Sequence, residues 1–159
     1  MYSFRISKYN PSLRDNNDNY KDLEEWTSFS DIGKFLNGEL FTYEKYIIIE
    51  NKYIETILYF MEYLNIETFT IKDLEIYNAD KLLVNISNNN LIDKNSLINL
   101  LKLILREEIW AKLEHNKDLK IHFGYDYYMY VITKKVNNSL LEKIKGLGLF
   151  VEKFSSPYN

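Results

Sequence analysis

No cysteine occurs among the 159 residues. Disulfides, cysteine-ligated zinc, iron–sulfur clusters and thiol nucleophiles are excluded together. Glycine and proline are scarce, five and two, and no three glycines fit a dinucleotide or P-loop fingerprint. Gly146-Leu147-Gly148 is a lone G-x-G that follows a helical stretch and precedes a strand, the reverse of a Rossmann turn, so it reads as a helix stop. There is no G-x-S-x-G, and the two histidines, His115 and His122, form no HExxH pair. No uncharged apolar run approaches the ~18–20 residues of a membrane span, and residues 1–8 lack a signal-peptide core. These absences predict a cytoplasmic chain with no membrane contact, no metal and no other cofactor.

A surplus of positive charge is also missing. Twenty Lys+Arg stand against twenty-three Asp+Glu, a formal charge of -3, which argues against a broad grip on phosphate backbones and so against a nucleic-acid partner. Aromatic residues are abundant instead, at 16% with fourteen tyrosines. Tyr125, Tyr127, Tyr128 and Tyr130 crowd one stretch. Tyrosine joins apolar area to one polar tip and is enriched at protein–protein interfaces. The plain alternative places these rings along the core with their hydroxyls at its edge.

Length and composition predict one domain over residues 1–159. Weak alternation gives a strand over 2–9, then a polar loop over 10–25. Thr27 or Ser28 is placed to cap a short helix ending near Gly38. Residues 43–64 keep helical spacing behind a Thr42 cap, and Glu50 falls inside their apolar stripe. Strands are expected over 67–77 and 82–87, and a second long helix, capped by Asp93, over 94–115. That helix is apolar almost all round, its stripe changing sides between Ile104 and Ile109. Residues 119–133 read as a hairpin with a turn at Gly124-Tyr125-Asp126. A short helix over 136–145, capped by Asn138 or Ser139, and a strand over 147–154 complete the chain. The predicted fold is α+β: a mainly antiparallel sheet with two long helices packed on it and a C-terminal ββαβ unit.

Glu50 and Glu108 each interrupt an apolar stripe. A buried carboxylate must find a cation or take up a proton, and Arg5, Arg14 and Arg106 are the only arginines available. One reading makes Glu50, Glu108, His122 and Arg106 the acid, base and anion-binding groups of a small hydrolase or nuclease. The other makes the two carboxylates anchors that hold helices to loops.

Arg5-Ile6-Ser7-Lys8-Tyr9-Asn10-Pro11 with Trp26-Thr27-Ser28-Phe29-Ser30-Asp31-Ile32-Gly33 resembles the opening of a family of small bacterial proteins. Leu105-Arg106-Glu107-Glu108-Ile109-Trp110, His122-Phe123-Gly124-Tyr125-Asp126-Tyr127-Tyr128 and the ending Gly148 to Tyr158 look like its further signatures. The family is associated with immunity to polymorphic or contact-dependent toxins. The resemblance implies a non-enzymatic inhibitor that binds a cognate toxin domain. Trp26, Asp31, Tyr59, Tyr63, Tyr125 and Asp126 are the partner-binding residues expected from the aromatic excess and exposed charge.

Overall fold

Residues 1–21, 25–82, 85–124 and 126–158 are described by the computed structural model. Among these residues nine strands and three α-helices follow in order: β1 Tyr2–Ser7, β2 Phe35–Leu36, β3 Glu39–Leu40, α1 Tyr43–Leu64, β4 Thr68–Ile76, β5 Leu91–Asp93, α2 Lys94–Leu105, β6 Ile109–His115, β7 Leu119–Phe123, β8 Met129–Thr133, α3 Asn138–Gly146 and β9 Phe150–Lys153. Seven strands form one sheet in the order β5-β4-β6-β7-β8-β1-β9, with every pairing antiparallel. β2 and β3 make a separate small hairpin. The fold is α+β.

Period-two alternation sets the sheet's inner face. Phe4 and Ile6, Ala111 and Leu113, Ile121 and Phe123, and Met129 and Val131 are buried there in one cluster with Ile57 and Met61 of α1, Leu97 and Leu101 of α2 and Ile144 of α3. Register holds these rows together, Leu113 facing Ile121, Ile121 facing Val131, and Val131 facing Phe4. Each such side chain contributes about 1.5–3 kcal/mol by leaving water. The helices start where side-chain oxygens satisfy free amides: Thr42 accepts from Lys45 N–H, Asp93 from Ser96 and Asn137 from Leu140.

Four local expectations need correction. The second helix ends at Leu105, not 115, and residues 109–115 are β6. The change of stripe side near residue 105 was the mark of that break. The helix expected up to Gly38 is a single 3-10 turn at Phe29–Asp31 followed by the β2–β3 hairpin. Gly33 and Gly38 adopt φ of +94° and +79° there, which glycine alone takes without strain. Among the described residues of 82–87 there is no strand; the sheet's edge is β5 instead. The third helix is capped by Asn137 rather than by Asn138 or Ser139.

The outer face of the sheet carries the other half of the alternation. His122, Tyr130, Arg5 and Glu152 stand side by side across β7, β8, β1 and β9. The chain's last described residues cross this face as a strap. Ser156 Oγ lies 2.7 Å from His122 Nδ1, and the Tyr158 ring packs against Trp110 and Tyr130.

Candidate functional site

The ionisable and aromatic residues singled out by the sequence gather mostly at one end of the molecule, where α1 begins and α2 ends. The α2–β6 corner is built without glycine. Glu107 takes the left-handed conformation at φ 60°, while Glu107 N–H bonds the Ile104 carbonyl and Glu108 N–H that of Leu103, each at 3.0 Å. This is a Schellman closure with glutamate at the position usually held by glycine.

Arg106, beside that corner, reaches back to α1. Its Nε and Nη2 donate to the two oxygens of Glu50 at 2.7 and 2.8 Å. Glu50 is 0% exposed, whereas the Arg106 side chain keeps 24%. Phe29 lies 5.2 Å from the guanidinium and covers it. Bonding to Glu50 raises the Arg106 pKa. The Tyr46 hydroxyl donates to the Leu105 carbonyl at 3.2 Å, a second tie from α1 to the end of α2.

The opposing β7–β8 corner is strained. Asp126 and Tyr127 are both left-handed, at φ 60° and 63°, a pairing that tight hairpin turns usually fill with Asn-Gly. Each such residue costs on the order of 1–3 kcal/mol and persists only where its surroundings hold it. The hold comes from Tyr53, whose hydroxyl donates to the Tyr127 carbonyl at 2.6 Å and accepts from Lys8 N–H at 2.8 Å. Gly124 is not at positive φ; it is small because a Cβ there would stand 3.2 Å from Tyr128 Cβ and from the Tyr130 ring. Burial, then the neighbouring Tyr46, drives the Tyr127 phenol far above its ordinary pKa.

Lys8 closes the cluster. Its Nζ bonds Glu25 at 3.1 Å and the Trp26 carbonyl, and sits 3.4 Å from the Trp26 ring centroid. Burial pulls its pKa down to about 8 against the opposing pull of Glu25. Asp31 caps the 3-10 turn, accepting from Thr27 and Ser28 N–H at 2.8 and 3.1 Å. Burial works to raise its carboxyl, but Lys34 and those amides together hold it low.

Of the expected partner-binding residues, Trp26, Asp31 and Asp126 lie at this end. Trp26 stacks on Phe41 and meets Tyr127 edge-on, so it is partly a core residue. Asp126 is exposed. Tyr59 and Tyr63 lie in the far half of α1, under Lys143 and Lys135, roughly 20 Å of helix away. Tyr125 lies outside the described residues. The expected set is therefore two patches, not one. Sequence reasoning missed Phe29, Tyr46 and Glu107. For Glu107, which carries the corner, the chain offered no turn-former as a signal.

The residues of the catalytic alternative lie on both sides of the sheet. Glu50 and Arg106 are on the helix side of the sheet, whereas His122, 1% exposed, is on the outer face beneath the strap. Burial, then Lys112, holds His122 at a pKa of about 4, so it is neutral there at pH 7. Glu108 is at the corner, its carbonyl accepting from Tyr77 and Asn78 N–H. Arg5 and Arg14 both bind Glu152. Among the described residues no group of three or more His, Asp or Glu could hold a metal, and no helix is long and apolar enough to cross a membrane.

The chain matches no family model, no curated protein and no solved structure.

Proposed function

We propose that this protein is a non-enzymatic inhibitor that binds a protein partner, and that it acts in the cytoplasm as an immunity protein neutralising a cognate bacterial toxin. One observation carries the reading: the side chains that would do acid–base work are occupied in holding elements together, and they stand on opposite faces of the sheet. Glu50 and Arg106 bind each other through two hydrogen bonds, and His122 is roofed by Ser156. A hydrolase or nuclease needs these groups around one water-reachable point.

The surface at the α1 start suits docking. It carries exposed Tyr43 at the first position of α1, and Glu107 and Asp126 are exposed at the two corners. Exposed acidic and aromatic groups fit a cationic partner, such as a toxin that cleaves nucleic acid. Co-expression with a toxin encoded beside this gene tests the reading. Cells are expected to survive, and the two chains to co-elute in size exclusion. Unprotected cells together with separate elution would refute it.

A further inference from the structure

Two neighbouring depressions at this end share part of their lining. One, a groove of ≈ 260 Å³, is bordered by Tyr77, Ile109 and Trp110. The other is smaller and lies beside Tyr53, Tyr128 and Asp126. Ile104, Glu107, Phe123 and Gly124 line both. The floor is apolar, with Ile104, Ile109 and Phe123 buried. The charge above it is of one sign. Asp126 and Asp31 add to burial in raising the Glu107 pKa, and among the described residues neither Glu107 nor Asp126 makes an ion pair. Arg106, the nearest cation in sequence, is bound to Glu50.

We propose that this groove receives a lysine or arginine side chain of the protein partner, its aliphatic stem over Ile104 and Phe123 and its charged head between Glu107 and Asp126. The proposal rests on the binding-protein reading above and deepens it by naming the contact. Any partner that covers the groove removes water from Glu107, and a buried carboxylate without a cation is strongly unfavourable. An apolar side chain would fill the floor and leave that charge unpaired; an acidic one would add repulsion. A long cationic side chain satisfies both parts, because its stem is apolar and its head is not. The volume argues for one side chain: pockets that take drug-sized ligands span about 300–1,000 Å³.

The test uses tetralysine as the probe and tetraglutamate as the control, in ¹H–¹⁵N NMR titrations of the whole chain. Tetralysine is expected to shift the amides of Glu107, Ile109, Gly124 and Asp126, and tetraglutamate to leave them in place. The double variant E107Q/D126N removes both charges and keeps the fold, since Asn suits a left-handed position at least as well as Asp. It is expected to weaken tetralysine at least about fivefold. No shift in the groove, or equal binding by the double variant, overturns the proposal. A second arm separates it from the broader reading. If a toxin binds the wild type and E107Q/D126N equally, the groove assignment fails while the inhibitor stands. If no toxin binds but tetralysine still shifts the groove through these two carboxylates, the groove stands and the immunity reading falls.

Discussion

Cutting the Glu50–Arg106 pair from either side should give unequal losses. Arg106→Met strands a carboxylate that is 0% exposed among Tyr46, Phe29 and the helix interior, and removing one partner of such a pair costs about 3–5 kcal/mol. Glu50→Gln leaves a guanidinium whose side chain is still 24% exposed, and the amide oxygen still accepts one hydrogen bond. That loss should be about 1–2 kcal/mol. With a urea m-value of about 2 kcal/mol/M, the midpoint should fall by roughly 1.5–2.5 M for Arg106→Met and 0.5–1 M for Glu50→Gln. Glu50→Leu/Arg106→Met, which buries no charge, should recover most of the larger loss. Equilibrium urea unfolding followed by tryptophan fluorescence reads all three, since Trp26 packs on Tyr46. Equal single losses, or a cost under about 1 kcal/mol for Arg106→Met, would refute the assignment of this pair as an architectural anchor.

His122 should make the protein acid-sensitive. Its folded pKa is about 4 against an ordinary 6.5, so between those values the unfolded chain binds a proton that the folded chain refuses. Stability should therefore fall as pH drops from about 6.5 to 4, by on the order of 2–3 kcal/mol, and His122→Gln should flatten that part of a Tm–pH curve; an unchanged curve would show that the acid sensitivity lies elsewhere. Tyr53→Phe removes the hydroxyl that bridges Lys8 N–H and the Tyr127 carbonyl. It should cost about 2–4 kcal/mol, as two buried backbone groups lose their partner, and speed hydrogen exchange at the Lys8 amide; unaltered exchange there would argue that the turn is held by packing alone.

The long first helix was legible because the local cues agreed, Thr42 at its start and apolar spacing through it; the structure closes it at Asn65, φ 55°, with Ile66 N–H on the Met61 carbonyl. The end of the second helix was not. It closes with the same hydrogen bonds, but through Glu107, a residue with good helix propensity that takes the left-handed conformation there. The interruption of the stripe by Glu50 was readable as a buried charge seeking a cation. Choosing Arg106 over Arg5 and Arg14 was not, because the choice depends on where the misread corner falls. The strap over His122 was equally hidden: nothing local says that an irregular segment will dock across a sheet.

The first strand lies between the last two to be made. Tyr2 pairs with Thr133, and Phe4 with Lys153. At 5–20 residues per second, a ribosome needs roughly 6–26 s to synthesise the ~130 residues that separate Tyr2 from its nearer partner. Throughout that interval Tyr2–Ser7 is a nascent β-prone hexapeptide with both hydrogen-bonding edges unmatched. Arg5, at its centre, puts a charge into that hexapeptide, the kind of residue that interrupts aggregation-prone strands, before it ever meets Glu152.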